Sequence, residues 1–476
     1  MLDILITHAF VISMQGEGVG LIEDGAVGIR GNRIEVVGSS DQIIKSFEAH
    51  RVIDATGMAL MPGLIDAHIH TSVSLLRGIS QDIDDWMVAG LWPFETKLRQ
   101  HTEFSVIGTK LNLIEAVKCG TTTFCDFDSP MDKLVQCHYE IGTRARVAEL
   151  ISGLPRDNSG VEASKEFPLS EEIEKIKLDR NLRLISDWNG ADGGRITCLF
   201  GPQAADMVSV TTLNKIKQLS NKLGVGIHMH VSQSVHENTF TQKKYGMRAI
   251  PFLESIDYLD EQLIAVHLID ATPEEVHLLA QKGASMVACN TGDVLITGLL
   301  PPSAEFLQVS NKLALGSDEA TGNNCNNMFN EMKFTSLLNK MKAASPSVFP
   351  AWKVMRMATI EGAKAIGLGD EIGSLECGKK ADMILINLNI PNLSPVITEP
   401  VRNIVPNIVY SARGDEVQTV IIDGKIIMED RIIKTVDEHQ VLMAAKAAAK
   451  QVCREAKPEF DRRKTALYSM MRNDKL

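Results

Sequence analysis

The feature that most constrains this chain is a series of eight short apolar, β-branched runs between residues 59 and 320, separated by segments with helical spacing of apolar residues. The runs are ALMPGLIDAHIH, GTTTFCDF, RARVAEL, GRITCLFGP, VGIHMHVSQS, LIAVHLID, ASMVACNTG and KLALGSDEA. Near-continuous apolar strands that alternate with helices are typical of parallel sheets covered by helices. Eight such units favour an α/β fold of the (β/α)8 barrel type over an open doubly wound sheet.

Short strands with Gly and Asn turns stand at both ends of the chain, in GAVGIRGNRIEVVG near the start and DEVQTVIIDGKIIMEDRII near the end. Neither piece has enough strands to bury a face alone, so we expect them to pair into one small β-sandwich. The expected organisation is a first β-sandwich segment at 1–57, the catalytic barrel at 58–372, a second β-sandwich segment at 373–435 and a C-terminal helical tail at 436–476. The tail is amphipathic, and we expect it to pack against the body or a neighbouring copy.

Charge and cysteine content limit the partners. With 49 basic and 60 acidic residues the net charge is −11, and the acidic residues are dispersed, so no basic stripe is available for nucleic acid or an anionic membrane. No glycine-rich nucleotide-binding loop follows any predicted strand, so a nucleotide cofactor is not indicated. The sequence has eight cysteines without C-x-x-C spacing, no signal-peptide pattern and no run of about 18 apolar residues. We therefore expect a cytoplasmic protein with reduced thiols.

Several predicted barrel strands end in a histidine or a carboxylate. The first strand supplies two of these residues and the fifth, sixth and eighth supply one each: His68, His70, His230, His267 and Asp318. Because the carboxyl ends of barrel strands meet at one mouth, we expect these side chains to converge. Zn²⁺ and Fe²⁺ accept nitrogen and carboxylate ligands of this kind. The pattern predicts one divalent metal ion, with Zn²⁺ first and Fe²⁺ as the alternative.

Two neighbouring positions stay open from the residues alone. His228 lies one strand step from His230 and shares its face, so either could bind the metal; we favour His230, the more C-terminal, and place His228 in the barrel interior. Asp126 and Asp128 end the second strand, either as supports next to the ligands or in purely structural roles. Neutral histidine ligands leave the metal most of its charge, which lowers the pKa of a bound water from about 16 toward about 7.

MPGLIDAHIH resembles the opening metal motif of the amidohydrolase superfamily. The resemblance continues in LLRGISQDIDDWM, WPFETKL, EAVKCGTTTFCDF, HVSQS, GSDEATGNNCNNMF and MATIEGAKAIGLGDEIGSLECGKKADMILINL. It spans the chain from Met1 to residue 435. Within the superfamily, the sequence is most similar to the mononuclear-metal branch that holds the s-triazine hydrolases (atrazine chlorohydrolase and melamine deaminase) and the methylthioadenosine/S-adenosylhomocysteine deaminases.

The resemblance implies a mononuclear site with four ligands, which are His68, His70, His230 and Asp318, and with His267 beside the metal-bound water. Binuclear relatives carry a bridging lysine at the end of the fourth strand, and ITCLFGP offers none. The implied reaction is attack by a metal-activated hydroxide on a ring carbon. Asp318 accepts the proton, and the tetrahedral intermediate loses ammonia, an amine or chloride.

The sequence departs from the family pattern at two positions. The fifth-strand motif usually reads H-x-x-E, and its glutamate shuttles protons, whereas this chain has Gln233, which can hydrogen-bond but cannot titrate. Either another acid replaces that glutamate, with Glu319 as our candidate, or the leaving group needs less protonation. Gln203 stands near the place of a histidine that many deaminase relatives carry, so a nucleoside substrate cannot simply be carried over.

Three further residues match a stretch that lines the substrate pocket in relatives: Trp86, Trp92 and Glu95. Helix packing at the barrel rim is an equally good interpretation of the two tryptophans. With Gln203, these residues are our candidates for substrate binding, and the candidate catalytic residues are His267, Asp318, Gln233 and Glu319.

These observations predict a metal-dependent deaminase of a nitrogen-rich heterocycle of the purine, pterin, pyrimidine or triazine type. The alternative is a triazine-type hydrolase that displaces chloride or an alkylamine, and a remote alternative is a non-catalytic scaffold that retains the barrel. A small heterocyclic substrate is the expected partner, with no nucleic acid and no membrane. We expect a homo-oligomer, a dimer or larger.

Overall fold

The computed structural model describes residues 1–83, 85–155, 166–463 and 465–475. It begins with five strands, of which the third and fourth are joined by a short helix: β1 (Leu2–Ile12), β2 (Leu21–Arg30), β3 (Arg33–Ser39), β4 (Ala49–Asp54) and β5 (Met58–Pro62). Gly31, at φ +59°, permits the tight turn between β2 and β3. Strand β1 pairs antiparallel with β2 and parallel with β4 and β5.

Ten further strand segments provide the eight strand positions of a parallel barrel. They are β6 (Leu64–His70), β7 (Thr121–Asp128), β8 (Arg144–Ile151), β9 (Ile196–Cys198), β10 (Gly201–Pro202), β11 (Ile227–Val231), β12 (Leu263–His267), β13 (Ser285–Ala288), β14 (Leu313–Leu315) and β15 (Asp318–Glu319). Segments β9 and β10 share the fourth position, and β14 and β15 share the eighth. Pairing of β15 with β6, and a bridge between Phe200 and Ile227, join the two halves into a ring. Nearly every strand residue is buried, as expected where side chains fill the barrel and helices cover it.

Helices connect the strands, and the caps that the sequence provides mark their limits. They are α1 (Ser40–Ser46), α2 (Trp92–Leu98), α3 (Thr102–Lys118), α4 (Met131–Ile141), α5 (Glu171–Trp188), α6 (Ala191–Gly194), α7 (Val210–Leu223), α8 (Val235–Tyr245), α9 (Ala249–Ser255), α10 (Pro273–Gln281), α11 (Asn290–Thr297), α12 (Ser303–Phe306), α13 (Met328–Ala343), α14 (Ala351–Met357), α15 (Ile360–Ala365), α16 (Ile404–Ser411), α17 (Glu438–Arg463) and α18 (Ala466–Arg472). Helix α7, for example, begins after Ser209, whose hydroxyl accepts from the Thr212 amide, and ends at Gly224 in the left-handed conformation. Among the described residues, no helix is long and apolar enough to cross a membrane.

Four late strands complete the N-terminal sheet: β16 (Met383–Asn387), β17 (Val417–Ile422), β18 (Lys425–Glu429) and β19 (Ile432–Ile433). Strand β16 pairs antiparallel with β5, so nine strands form one sheet in the order β19-β18-β17-β16-β5-β1-β2-β3, with β4 beside β1. Residues of both chain ends share one apolar core, among them Ile6, Val27, Met383 and Ile421. The predicted pairing of the two ends is confirmed. The segment limits stay a prediction, and residues 58–62 lie in this sheet.

Two contacts fix the elements that surround the barrel. The buried Arg144 guanidinium, at the start of β8, binds the carboxylates of Asp382 (Nη2–Oδ1, 3.0 Å) and Asp423 (Nη2–Oδ1, 2.9 Å) from the terminal sheet. At the other end of the barrel, α17 buries Val452 and Phe460 in an apolar cluster that also contains residues of α2 and the turns before it. The C-terminal helix α17 therefore packs against the body of the protein, next to α2 and the turns before it.

Candidate metal centre

Five residues at the carboxyl ends of barrel strands meet at one point. The Nε2 atoms of His68 and His70, from β6, each lie 3.6 Å from Asp318 Oδ1. His230, from β11, places its Nε2 atom 3.1 Å from His68 Nε2. Among the described residues, ligand atoms lie within 4.8 Å of one another in two overlapping sets, His68 with His230 and His267, and His68 with His70 and Asp318. The structure thus brings together all five residues that the sequence predicts for the metal site.

The chemistry of these donors fits a divalent cation. Burial, together with the neighbouring imidazoles, lowers the pKa of His68 and of His230 well below the ordinary value. Both rings are therefore neutral, which is the form that binds a metal ion. Asp318 adds a carboxylate oxygen, so the set matches the nitrogen and oxygen ligands that Zn²⁺ prefers.

The second ring nitrogens of two candidate ligands have partners that orient them. His70 Nδ1 donates to the backbone carbonyl of Phe127, and His68 Nδ1 lies 3.0 Å from His228 Nε2. His228 itself is fully buried and stacks on the Phe127 ring at 5.3 Å. Such partners set the direction of a ligand's free lone pair. His228 lies beside His68 in the barrel interior, outside both of the ligand sets.

His267 forms a buried pair with Asp293, a residue that was not predicted from the sequence. His267 Nδ1 lies 2.9 Å from Asp293 Oδ1, and both side chains are less than one-tenth exposed. Burial works to lower the pKa of His267, but the Asp293 charge and hydrogen bond raise it above its usual value. Asp293 lies in the first turn of α11, after β13. The one signal available in the sequence was a carboxylate soon after the seventh predicted strand.

Two acids and one amide lie around this centre. Burial and the charges of Asp318 and Glu95 raise the pKa of Glu319 well above its ordinary value, so Glu319 is a neutral acid beside Asp318. Gln233 follows β11, and its backbone N–H donates to Glu237 Oε2 at 2.9 Å. Burial and the Asp206 charge raise the pKa of Glu237 to about 8. Glu237 is a second acid near the fifth strand that sequence reasoning missed, because its position in the first turn of α8 gave no sign of burial.

The two tryptophans predicted to line the pocket lie at the rim in different settings. Trp86 is half-buried in a single helical turn, and its Nε1 donates to the Thr321 carbonyl at 3.3 Å. Trp92 is buried in the apolar cluster under α17, with its ring 6.1 Å from Phe167. Packing accounts for Trp92, whereas Trp86 faces the loop that follows Asp318.

Glu95 is held by a partly buried chain of ion pairs. Arg99 Nε donates to Glu95 Oε1 at 2.7 Å, and Arg99 Nη1 donates to Asp128 Oδ1 at 2.9 Å. Asp128 also accepts from the Ser72 amide at 2.8 Å, so this chain ties α2 to the segment after His70.

Asp126 and Gln203 bind the backbone at two candidate ligands, Asp126 next to His70 and Gln203 at His230. Asp126 Oδ1 accepts from the Thr71 amide, and His138 Nε2 lies 3.0 Å from Asp126 Oδ2. Gln203 follows β10, its carbonyl accepts from the His230 amide at 3.2 Å, and its side-chain oxygen is buried without a hydrogen-bond partner among the described residues. Both carboxylates of the second strand therefore support the segment behind His70.

Comparison with known proteins identifies related sequences and folds. Residues 59–427 match the amidohydrolase family model. A 5-methylthioadenosine/S-adenosylhomocysteine deaminase from Moorella thermoacetica is 32% identical over 440 residues, which cover 92% of this chain and 97% of that protein. An adenosine deaminase structure from Xanthomonas campestris with bound zinc matches with a TM-score of 0.86 and 27% identity, over 95% of this chain and 98% of that chain.

A more distant structure shows the fold alone. Atrazine chlorohydrolase from Arthrobacter aurescens, complexed with zinc, matches with a TM-score of 0.81 at 20% identity, over 94% of this chain and all of that chain. Together with the strand order of the structure, these likenesses confirm the predicted barrel and terminal sandwich.

Proposed function

The chain belongs to the amidohydrolase family, and on this basis we propose that it is a metal-dependent deaminase of a nitrogen-rich heterocycle. It is a hydrolase that acts on carbon–nitrogen bonds, in keeping with relatives named as deaminases of adenosine-type nucleosides. The observation that carries the proposal is the convergence of four imidazoles and one carboxylate at the barrel mouth. A scaffold without catalysis would have no need of this buried cluster.

In this proposal one zinc ion is held by four residues, which are His68, His70, His230 and Asp318, with Fe²⁺ as the alternative metal. A bound divalent ion supplies a polarised water with a lowered pKa. The chain's own groups then handle the protons. The Asp318 carboxylate accepts the proton of the attacking water, and His267, held by Asp293, orients that water against the ring carbon.

Proton delivery to the leaving group falls to Glu319 in this scheme. Gln233 offers the ring a hydrogen bond but no proton. Glu319 is the next residue after Asp318, it is only partly buried, and its raised pKa leaves it protonated. We propose substrate contacts for three of the four candidate residues, Trp86, Glu95 and Gln203, because Trp92 is packed in the apolar cluster under α17. The Glu95 carboxylate is already fixed in place by Arg99.

The test is a screen of aminated purines, pterins, pyrimidines and triazines, with ammonia release and metal content measured on the same preparations. We expect one class to release ammonia in proportion to bound zinc. The Glu319→Gln variant should then lower turnover severely while it retains the metal, and an unchanged rate would remove Glu319 from the mechanism. A zinc-loaded protein that is inactive on the whole panel would contradict the deaminase proposal.

Gln233 favours a second candidate, the displacement of chloride or an alkylamine from an s-triazine ring, because chloride departs without a proton. Chlorinated and aminated triazines of equal ring structure separate the two candidates by the product released. Release of chloride with no release of ammonia would favour the second. Gln233→Glu is the matched variant, since it restores a titratable group and should favour an amine leaving group over chloride.

Two further proposals concern the protein as a whole. All eight cysteines are free thiols, which suits a reducing compartment, and we propose a cytoplasmic location. We also propose a homo-oligomer, and light scattering of the purified chain measures its mass directly.

A further inference from the structure

The candidate ligand Asp318 has an unusual backbone conformation. Its φ is +58°, in the left-handed region where a Cβ atom is crowded, although Asp tolerates it better than most residues. It stands where the eighth barrel position resumes at β15, after Gly316 and Ser317 interrupt the strand. Surrounding contacts must hold this conformation, because the direction of the Cα–Cβ bond decides where the carboxylate points.

Asn326 supplies two of these contacts from the loop before α13. Its Nδ2 donates to the Asp318 carbonyl at 2.8 Å and to Ser317 Oγ at 2.7 Å. Its Oδ1 accepts from Asn112 Nδ2 at 2.8 Å, which fixes the orientation of the amide. Asn326, Asn112 and Ser317 are all fully buried. Both hydrogens of the Asn326 amide are therefore used: one bonds to the Asp318 backbone and the other to the side chain of Ser317, the residue before it.

Ser317 is held from the opposite side. Its backbone N–H donates to Asp66 Oδ1 at 2.9 Å, its hydroxyl donates to Asp66 Oδ2, and its carbonyl accepts from Asn323 Nδ2 at 2.6 Å. Asp66 belongs to β6, the strand that carries His68 and His70. The network thus ties the backbone of one candidate ligand to the strand of two others.

We infer that Asn326 is a positioning residue for the metal site, which clamps Asp318 so that its carboxylate faces His68 and His70. This inference rests on the proposed function, since it needs Asp318 as a ligand. Loss of the two donated hydrogen bonds frees the peptide at Asp318 to relax from the left-handed conformation. The carboxylate then turns away from the imidazoles, and metal binding weakens.

The neighbouring residue provides a matched control. Asn327 is also buried, but its Oδ1 accepts from the Phe329 amide at 2.9 Å and its Nδ2 donates to the Arg413 carbonyl at 2.6 Å. Its contacts therefore cap α13 and lead toward the terminal sheet. Asn327→Ala removes two hydrogen bonds where Asn326→Ala removes three, and it does so at a position that is not bonded to Ser317 or Asp318.

The experiment measures the zinc dissociation constant of the metal-stripped full-length chain by competition with a chromophoric chelator, beside the unfolding temperature of the metal-free form. We expect Asn326→Asp and Asn326→Ala to weaken zinc binding about 10- to 100-fold, the usual effect of losing a group that orients a ligand. Asn327→Ala should lower the unfolding temperature and leave zinc affinity unchanged. If the Asn326 variants fail to fold, Asn112→Ala, which releases only the amide orientation, should weaken zinc binding in the same direction.

The outcomes separate the inference from the proposal on which it rests. A wild-type chain that does not bind zinc would refute the proposed metal site itself. A wild-type chain that binds zinc tightly, with folded Asn326 variants of equal affinity, would overturn the positioning role alone. Equal weakening by Asn326→Ala and Asn327→Ala would also overturn it, because the effect would then follow general stability.

Discussion

Asp293→Asn tests whether His267 depends on its buried partner. The pair is joined over 2.9 Å, and the second Asp293 oxygen has no hydrogen-bond partner among the described residues. Its charge therefore acts chiefly on His267. A hydrogen bond to a charged group contributes about 1.5–3 kcal/mol. If the whole of this is lost in the transition state, kcat falls about 10- to 150-fold.

The asparagine keeps the size of the side chain but removes the charge, and its amide can present N–H to the ring in place of an oxygen. The ring can then take the other tautomer, which places a proton on the nitrogen that faces the site. The assay is steady-state kcat and KM on the substrate that the ammonia-release screen identifies, with zinc content measured on the same samples. We expect kcat to fall more than KM rises, at full zinc occupancy.

An exposed pair of the same kind is the control. His8 Nδ1 and Asp24 Oδ1 lie 3.0 Å apart on the terminal sheet, with both side chains more than two-fifths exposed. Because exposed pairs contribute little, Asp24→Asn should leave the kinetics unchanged. An Asp293→Asn enzyme with full zinc and a wild-type kcat would refute the argument that Asp293 directs His267.

Three predictions concern the structure around the site. Arg144→Met removes the buried cation that Asp382 and Asp423 share, leaving Asp423 with Lys380 at 3.7 Å, and should lower the free energy of unfolding by about 3–5 kcal/mol in urea denaturation. Burial raises the pKa of Glu331 to about 8, so the folded state holds a proton that the unfolded state loses above pH ~4.5. The free energy of unfolding should therefore fall as pH rises from about 4.5 to 8, and Glu331→Gln should reduce that loss by up to about 5 kcal/mol. An equal loss in wild type and variant would contradict the raised pKa. Phe460→Ala removes a ring 5.3 Å from Phe94 and should cost about 3–5 kcal/mol, with KM raised more than kcat is lowered, because Phe94 precedes the candidate substrate contact Glu95.

The residues of the proposed site that the sequence predicted are those fixed by strand geometry. Alternate residues of β6 share a face, and the carboxyl ends of barrel strands share a mouth, so His68, His70, His230 and His267 could be grouped from the sequence alone. The same reasoning left His228 open, because one strand step separates it from His230. Only packing distinguishes the two, through the contact of His228 with the far nitrogen of His68.

The residues that the sequence did not predict act through loops whose course depends on tertiary contacts. His267 and Leu268 adopt φ values of +74° and +59°, and the chain turns sharply there. No local pattern specifies that turn, so the approach of Asp293 from the next loop could not be inferred. Asn326 belongs to a motif quoted for family resemblance, yet its role follows only from the distance to Asp318. The pairing of the two chain ends was predictable from strand content, but the register of β16 against β5 was not.

Because residue 233 is a glutamine and cannot titrate, the proton of the leaving group must come from another acid near the site. Glu237 has a raised pKa, but it is fully buried and one of its oxygens accepts from the Gln233 backbone. This bond ties the first turn of α8 to the end of the fifth strand, and the other Glu237 oxygen is buried without a hydrogen-bond partner among the described residues. Glu319 is partly exposed, follows Asp318 directly and lies close enough to Glu95 for their charges to interact. In the proposed mechanism Glu319 supplies the proton of the leaving group, next to the carboxylate that receives the proton of the attacking water, and the Glu319→Gln variant tests this choice.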